Sequence, residues 1–331
     1  MRCVDAEKTR RINALRCTKI ISLTSNKALA LEVAKNLGIH VLDGDIARFA
    51  DGETLFECNE TVRGCDVYII QSTCQPVNEK IMELLISIDA LKRASAKSVN
   101  VIIPYFGYSR QERKTKPRHP ISAKLVADLL TTAGAGRIIC FDLHAPQIQG
   151  FFNIPVDDIS AVNIFYDFFL KMSLKDIACV SPDHGGVARA HRLANKLNAD
   201  LIIIDKRRTK PNKSEIIAIV GDVKDKNCII VDDIVDTAET LCNAANKLKT
   251  LGAKQVFAAI THGILSGDAV SRINQSSLDK LIITDTIPLD SRIASDKITV
   301  LKISPLLSNV IRAVLFGESL SQAIKNFATS N

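Results

Sequence analysis

Residues 228–241 read CIIVDDIVDTAETL and predict a buried strand that leads directly into a helix. The apolar residues 228–231 form the predicted strand, and the paired acids at 232–233 are expected at its end. Ile234 and Val235 are then expected to turn the chain. The polar residues 236–240 would open the helix.

The chemistry of this segment favours a sugar-phosphate site. Backbone N–H groups and hydroxyls at the start of a helix bind phosphate, and two adjacent carboxylates can accept hydrogen bonds from a vicinal diol. Together they describe a ribose 5-phosphate site. The simpler alternative is a helix N-cap in which Asp and Thr serve only as capping residues. Two acids before the DTAET segment exceed what capping requires.

Strand-like apolar runs alternate with amphipathic stretches along the whole chain of 331 residues. The predicted strands cover residues 19–23, 67–71, 99–104, 137–142, 178–181, 201–204, 228–231, 256–261, 281–284 and 298–303. The predicted helices cover residues 28–37, 78–94, 123–133, 187–197, 240–251 and 306–316. This alternation predicts an α/β protein with two similar domains, each a mostly parallel sheet with helices on both faces. Ligands of such sheets bind beyond the carboxyl ends of the strands.

The loop-like segment GFFNIPVDD predicts where the two domains meet. We expect an N-terminal α/β domain over residues 18–158 and a C-terminal α/β domain over residues 159–331, whose last helix is free to pack back on the first domain. Residues 1–17 lack an apolar stretch long enough for a signal peptide and include two acids, so we expect a disordered extension.

Composition narrows the function classes only in part. The net charge of +7 suits phosphate-rich small substrates as well as nucleic acid. Nine cysteines, odd in number and never spaced C-x-x-C, argue against a disulfide framework or zinc ribbon and for a reducing compartment. No apolar run approaches membrane-spanning length. We therefore expect a cytoplasmic protein that does not use a membrane. That it uses no nucleic acid is expected from the motifs below, since its charge alone does not decide this.

From residue 19 onward the chain resembles the ribose-phosphate diphosphokinases, in their bacterial-type, phosphate-activated class. The resemblance is carried by VDDIVDT and by RFADGE, NEKIMELL, ALKRASAKS, RQERK, DLHAPQIQGFF, VSPDHGG and IDKRR, all in the family's order. It implies two domains of phosphoribosyltransferase type. It also implies transfer of the diphosphate of Mg-ATP to the C1 hydroxyl of ribose 5-phosphate, which gives 5-phosphoribosyl 1-diphosphate and AMP.

The resemblance also implies residue roles. The ribose 5-phosphate loop is Asp232, Asp233, Asp236, Thr237, Ala238, Glu239 and Thr240. The ATP-binding residues are Phe49, Asp51, Glu53, Arg110, Gln111 and His144, with the first three contributed by a neighbouring subunit. His144 and Asp183 are the expected Mg²⁺ ligands, and Lys206 and Arg208 the expected catalytic residues on a mobile lid.

The family resemblance further implies a homo-oligomer, a hexamer built from dimers, that responds to phosphate and ADP. Arg63 and Arg118 are expected to contact the regulatory anion. Arg118 lies in the basic segment RQERKTKPRHP, residues 110–120. From its charges alone this segment fits a polyphosphate clamp, a nucleic-acid patch or a solvated loop.

Glu239 is the main departure from the family pattern, which has glycine at this position. Glycine lets a backbone approach phosphate and adopt conformations that other residues resist, whereas glutamate adds bulk and negative charge. Glu239 favours a weak or inactive regulatory paralogue as one alternative. Two others also stay open, a phosphoribosyltransferase and a nucleic-acid-binding protein. The retained catalytic residues argue against an inactive paralogue. The presence of a second domain argues against a phosphoribosyltransferase. Only the basic loop and the net charge favour a nucleic-acid-binding protein.

Overall fold

A computed structural model describes residues 14, 15, 17–42, 44–210, 213–290, 293 and 295–327, with backbone alone for residues 206–210 and 213–217. The chain divides into two compact units. One contains Met1–Ile159 and Ile303–Asn331, and the other contains Ser160–Lys302. The extension predicted over residues 1–17 falls almost entirely outside the described residues.

The first unit is built on a six-stranded sheet in which every neighbouring pair is parallel. Its strand order is β2-β1-β5-β6-β7-β8, and β3 and β4 form a separate antiparallel hairpin. The strands are β1 Thr18–Ser22, β2 Val41–Leu42, β3 Gly44–Arg48, β4 Thr54–Cys58, β5 Asp66–Ile70, β6 Ser98–Ile103, β7 Arg137–Phe141 and β8 Val156–Ile159. Its first helices are α1 Lys27–Leu37, α2 Val77–Arg93 and α3 Ser122–Ala133, with a 3-10 helix at Pro146–Phe151.

The second unit has a seven-stranded sheet of order β11-β10-β9-β12-β13-β14-β15. Only the edge pair β10–β11 is antiparallel. The strands are β9 Ile177–Ser181, β10 Asp200–Lys210, β11 Lys213–Val220, β12 Asn227–Val235, β13 Gln255–Gly263, β14 Lys280–Thr284 and β15 Ile298–Leu301. The helices are α4 Val162–Met172, α5 Val187–Leu197, α6 Glu239–Thr250 and α7 Ala269–Gln275.

The last two helices, α8 Ser304–Phe316 and α9 Leu320–Phe327, return to the first unit. Helix α8 contacts α1 through a hydrogen bond from Ser304 Oγ to Glu32 Oε2 at 2.7 Å. A second bond joins Asn36 Nδ2 to Ser308 Oγ at 3.2 Å. The chain therefore begins and ends in the same unit.

Successive residues of the central strands are buried, which shows that both faces of each sheet are covered. Val67, Tyr68, Ile69 and Ile70 of β5 are each at most 1% exposed. Residues on alternate faces of a strand can both be buried only when helices lie on both sides. The predicted α/β class with mostly parallel sheets is confirmed. Within the described residues, no helix has the length and apolar character needed to cross a bilayer.

The structure corrects one local prediction in the first quoted segment. Strand β12 does not end at residue 231 but continues to Val235, because its ladder with β13 extends through Ile234–His262 and Val235–Gly263. Ile234 and Val235 therefore do not turn the chain. The acids at 232–233 lie within the strand, and the turn falls at residues 236–238.

The remaining differences are additions to the predicted elements. The segment GFFNIPVDD, predicted as a loop, is a loop only in part, because its last three residues lie in strand β8, which pairs with β7. The polar stretch after Ile204 is an antiparallel hairpin of β10 and β11, and residues 211–212 lie outside the described residues. Sequence periodicity also missed β2, the β3–β4 hairpin and helices α4, α7 and α9, most of which are short.

Candidate active site

The strand order of the second unit brings its predicted site residues to the same part of the carboxyl edge of the sheet. β9 lies next to β12, whereas the strands that follow each in sequence lie on opposite sides of this pair. At such a switch in strand order, the two outgoing loops diverge and leave a crevice at the carboxyl edge of the sheet. The segment after β9 carries Asp183, and the end of β12 carries Asp232 and Asp233.

Arg189 of helix α5 joins the two acids of β12. Its Nη1 lies 3.1 Å from Oδ1 of Asp232 and 3.1 Å from Oδ1 of Asp233. The backbone N–H of Asp233 also donates to Asp232 Oδ1 at 2.9 Å. Asp233 is buried, whereas the side chain of Asp232 keeps a quarter of its surface exposed. The pair is thus held in place with Asp232 presented towards the crevice.

Sequence reasoning missed Arg189, although the sequence held a signal for it. Arg189 is the third residue of α5, in the first turn. A cation is unfavourable there, because the helix dipole places positive charge at this end. A cation in this place therefore indicates nearby carboxylates.

Burial raises the pKa of Asp232, and repulsion from the neighbouring Asp233 adds to the effect, although Arg189 opposes it. The resulting pKa is about 8. Two adjacent carboxyl groups with little water around them share a proton more easily than they carry two negative charges. The arrangement therefore favours a ligand that brings donors or positive charge to the pair.

The loop after β12 has the geometry of an anion cradle. Ala238 has φ +60° and precedes helix α6, which begins at Glu239 and has no side-chain cap. The first N–H groups of a helix have no acceptor within the helix, and successive amides around a left-handed residue form a concave anion site. Thr237, Glu239 and Thr240 are exposed, and Ala238 is buried.

Asp183 lies in the loop that joins β9 to α5. Its Oδ1 accepts a hydrogen bond from the N–H of Gly186 at 3.0 Å, and its backbone carbonyl accepts one from Ser181 Oγ at 2.6 Å. The side chain is nevertheless exposed at the carboxyl edge. The adjacent His184 bonds to Asp205 of β10 at 3.1 Å, so the loop is tied to the strand that leads to Lys206.

In the first unit, the FADGE residues form the turn of the β3–β4 hairpin. Phe49 N–H donates to the carbonyl of Glu53 at 2.9 Å, and Glu53 N–H donates to Asp51 Oδ1 at 3.1 Å. All three side chains are exposed, and Phe49 leaves 53% of its surface accessible. An exposed aromatic ring in the same turn as two carboxylates offers a stacking face and hydrogen-bond acceptors.

The hairpin is anchored by Arg48, a second residue that sequence reasoning missed. Its Nη2 lies 2.7 Å from Glu79 Oε2 and 3.2 Å from Glu83 Oε1 on helix α2. Glu83 is 1% exposed and also accepts from Gln71 Nε2 at 2.8 Å. The FADGE turn is therefore fixed to the core of its unit through a buried carboxylate.

The other predicted ATP residues follow neighbouring strands of the first sheet. Arg110 and Gln111 follow β6, and His144 follows β7, which pairs with β6. Gln111 is held by Ser122 Oγ, which donates to its Oε1 at 2.6 Å. Arg110 and His144 are exposed at the carboxyl edge. The fold thus brings these loops to the same edge of the sheet.

Arg63 and Arg118 lie at opposite edges of this sheet. Arg63 precedes β5 and donates to Ser95 Oγ at 3.3 Å, at the amino edge. Arg118 has φ +67° in the long loop that follows β6, at the carboxyl edge. The two arginines therefore do not form one anion site within a single subunit.

The predicted catalytic residues Lys206 and Arg208 lie on β10, but their side chains are outside the described residues. The backbone there pairs with β11, with Lys206 opposite Ile216 and a register shift at Asp205–Lys206. β-Bulges of this kind are common next to active sites, where they redirect side chains.

The donor set fits magnesium bound largely through a substrate. Among the described residues, no three His, Cys, Asp or Glu side chains are grouped to hold a metal ion. Mg²⁺ retains several waters and is held by one or two carboxylates together with substrate phosphates. The exposed carboxylate of Asp183 is a donor of this type.

Comparison with known proteins identifies the family. Residues 18–134 match the model for the N-terminal domain of ribose phosphate pyrophosphokinase, and residues 178–325 match that for the phosphoribosyl synthetase-associated domain. The ribose-phosphate pyrophosphokinase of Oceanobacillus iheyensis is 53% identical over 92% of this chain and 96% of its own. That of Bacillus subtilis is 52% identical over the same shares.

The solved structures agree with this assignment. The crystal structure of phosphoribosylpyrophosphate synthetase from Mycobacterium smegmatis superposes with a TM-score of 0.85 at 42% identity, and covers 91% of this chain and 99% of its own. The acid pair and anion loop of the second unit thus occur within a chain that is similar to these enzymes along nearly its full length. The chain belongs to the ribose-phosphate pyrophosphokinase family.

Proposed function

We propose that this protein transfers the diphosphate of ATP to the C1 hydroxyl of ribose 5-phosphate, with 5-phosphoribosyl 1-diphosphate and AMP as products. The observation that carries the proposal is the junction of the acid pair Asp232–Asp233 with the loop at Ala238, at the switch in strand order of the second sheet. The carboxylates bind the ribose diol and the loop amides bind the 5-phosphate.

In the reaction, the C1 hydroxyl attacks the β-phosphorus of ATP in line with the bond to the leaving AMP, and no covalent enzyme intermediate forms. Phe49, Asp51 and Glu53 bind the adenine of a neighbouring subunit's ATP, and Arg110, Gln111 and His144 bind ATP within the chain. Asp183 and His144 are each proposed as Mg²⁺ ligands, and the bound ion would supply neutralisation of phosphate charge. Lys206 and Arg208 stabilise the charge that develops on the bridging and β-phosphate oxygens.

We also propose a homo-oligomer, a hexamer that responds to phosphate and ADP, in the cytoplasm. Three apolar side chains support assembly, because Ile121, directly before α3, and Leu125 and Leu129 within it recur every four residues and are all exposed. Exposed apolar surface of this kind marks contacts with other chains. The regulatory anion then contacts Arg63 and Arg118 of different subunits.

The direct test is an assay of the purified protein with Mg-ATP and ribose 5-phosphate, with AMP and the diphosphate product measured together. AMP formation that requires ribose 5-phosphate supports the proposal. ATP hydrolysis that is independent of the sugar, or no turnover, contradicts it. A phosphoribosyltransferase would instead consume the diphosphate with a nucleobase and release no AMP from ATP.

A further inference from the structure

In the loop that follows β12, the backbone carbonyls of residues 235–238 all accept hydrogen bonds. Val235 accepts from the N–H of Ile264 at 2.9 Å through its carbonyl, and Asp236 accepts from the N–H of Ser266 at 3.1 Å in the same way. The carbonyl of Ala238 accepts from Cys242 N–H at 2.9 Å, within helix α6. Most of these donors lie in the connection between β13 and α7.

The fourth carbonyl, that of Thr237, accepts from a side chain. Arg272 of helix α7 donates to it through Nη1. The carbonyls of the other three residues, 235, 236 and 238, accept hydrogen bonds from backbone amides. Arg272 is half-buried, and its contact with the loop crosses from one helix to the start of another.

The fixed carbonyls determine where the amides point. In a planar trans peptide the N–H of one residue is directed opposite to the C=O of the residue before it. A bond from Arg272 to the Thr237 carbonyl therefore aims the N–H of Ala238 to the opposite side of the loop. The anion cradle requires its amides on that side.

The peptide held by Arg272 also leads into an unfavourable backbone conformation. Ala238 has φ +60°, a left-handed conformation that residues other than glycine adopt reluctantly. Without a partner for the Thr237 carbonyl, this peptide is free to rotate, and its N–H would leave the cradle. A contact that holds the carbonyl keeps the cradle formed before the ligand arrives.

We propose that Arg272 is a positioning residue for the ribose 5-phosphate loop, since it holds the Thr237–Ala238 peptide with its N–H directed at the phosphate. The inference rests on the proposed function, because that function assigns the loop to the 5-phosphate of ribose. Arg272 acts through the backbone of the loop and does not contact the substrate. Its loss should weaken the affinity for one substrate and leave the other unchanged.

The test compares Arg272→Met with Arg272→Lys and with a control in the same helix. Methionine keeps most of the apolar stem but has no donor, whereas lysine restores a charged donor. Gln275→Ala is the control, because Gln275 bonds only to Ser271 of its own helix, at 3.2 Å, in the contacts described. Melting temperatures and the KM values for ribose 5-phosphate and Mg-ATP are measured for each variant.

We expect Arg272→Met to raise the KM for ribose 5-phosphate by about tenfold or more, since a hydrogen bond from a charged donor is lost. The KM for Mg-ATP should stay within about twofold, and Arg272→Lys should recover part of the loss. Calorimetric titration with ribose 5-phosphate should show the same order of affinities. The control should match the wild type in all of these values.

Two results overturn the inference. One is an unchanged KM for ribose 5-phosphate in Arg272→Met, and the other is an equal rise in both KM values together with a lower melting temperature, which indicates a structural role. If Arg272→Met does not fold, Arg272→Ala takes its place as the variant without a donor, and wild-type affinity of Arg272→Ala for ribose 5-phosphate overturns the inference. Failure of the proposed function is recognised separately, because the wild type itself would then form no AMP that depends on ribose 5-phosphate.

Discussion

At the residue scale, the positive φ of the loop falls one residue before position 239, where the family pattern has glycine. The positive φ of the loop falls on Ala238, and Glu239 is the first residue of helix α6 with its side chain exposed. A non-glycine residue at 239 is therefore accommodated without backbone strain. What remains of the departure is electrostatic, because a carboxylate in the first turn stabilises the helix but repels a bound phosphate.

Two substitutions at Glu239 separate charge from bulk. We expect Glu239→Gln to lower the KM for ribose 5-phosphate, by about two- to fivefold, because it removes a like charge near a dianion. Glu239→Gly should lower it by a similar factor and should also reduce the melting temperature, since glycine is a poor helix former. Steady-state kinetics at low and high salt measure the effect, which should shrink as salt increases. A KM that falls only with glycine would instead implicate bulk or backbone freedom.

Asp232 carries a stability cost that the active site imposes. Its pKa is raised from 3.8 in a model peptide to about 8 in the folded protein, by burial and by Asp233. A carboxyl group with a raised folded-state pKa stabilises the fold most fully below its unfolded pKa, and this contribution is lost as pH rises through the folded value. Between about pH 4 and pH 8, the wild type therefore loses stability at this position.

We expect Asp232→Asn to be more stable than the wild type, with an advantage that grows between these pH values and then levels off. Asparagine keeps an acceptor for Arg189 and for the N–H of Asp233 but does not titrate. The gain should be on the order of 1 kcal/mol near pH 8, reduced by the partial exposure of the group. Thermal unfolding of the protein without substrates, in a chelating buffer, checks this. Asp222→Asn, at an exposed turn, is the control, and a pH-independent difference would contradict the assignment.

At the scale of elements, the β3–β4 hairpin depends on helix α2 for its orientation. It is not hydrogen-bonded into the main sheet. Arg48 at the end of β3 contacts Glu79 and the buried Glu83, so a charged side chain at the core boundary sets where the turn points. Glu83 also pairs with Lys80, whose Nζ lies 3.2 Å from Oε1, so the loss of Arg48 would release the turn without leaving the Glu83 carboxylate uncompensated.

We expect Arg48→Ala to raise the KM for Mg-ATP by about three- to tenfold, because the adenine loop must then be ordered on binding. The KM for ribose 5-phosphate should not change. Arg93→Ala is a matched control, since Arg93 forms an exposed pair with Asp89 on the same helix at 2.7 Å. Equal effects of the two substitutions would show that the hairpin does not depend on Arg48.

Among the elements, the β10–β11 hairpin carries the proposed catalytic residue Lys206. We expect Lys206→Ala to lower kcat by about 100- to 1000-fold, the usual cost of one lost transition-state contact. Ribose 5-phosphate should still bind, as measured by calorimetry, because its loop lies on another strand. Lys254→Ala, at the amino edge before β13, is the control. Unchanged turnover in the lysine 206 variant would exclude it from the chemistry.

At the scale of the whole molecule, each unit has a switch in strand order, but the two switches are filled differently. Beside the β1–β5 switch of the first unit, Asn26 and Gln71 are buried, and their amide oxygens accept from Ser72 N–H at 2.8 Å and Ser25 N–H at 3.0 Å. The residues beside this switch are therefore tied to one another by buried hydrogen bonds. In the second unit the switch carries the acid pair and the anion loop.

Assembly is the other property of the whole molecule that the surface predicts. Leu125→Glu places a charge in the exposed stripe of α3 and should shift the protein to smaller species, measured by size-exclusion chromatography with light scattering. Leu31→Glu is the control, because Leu31 is equally exposed but lies outside the stripe. Activity should fall together with assembly, since a neighbouring subunit is proposed to supply Phe49. Wild-type mass for Leu125→Glu would show that the stripe is not a subunit contact.

The sequence by itself determined the α/β class and the positions of the main strands, and it predicted the sugar-phosphate segment. These follow from local patterns, namely apolar runs of strand length, helical periodicity and polar residues directly after strands. The sequence did not predict where β12 ends. Whether Ile234 and Val235 continue a strand or turn the chain depends on the pairing with His262 and Gly263, which are remote in sequence.

The tertiary structure alone decided which side chains support the site. Arg189, Arg48 and Arg272 each act on residues 31 or more positions away, through contacts that no local pattern encodes. The fold also moved the positive φ to Ala238 and left Glu239 in a regular helix. The local sequence predicts which groups bind. The packing of distant helices sets the orientation and the charge of those groups, because both depend on neighbours in space.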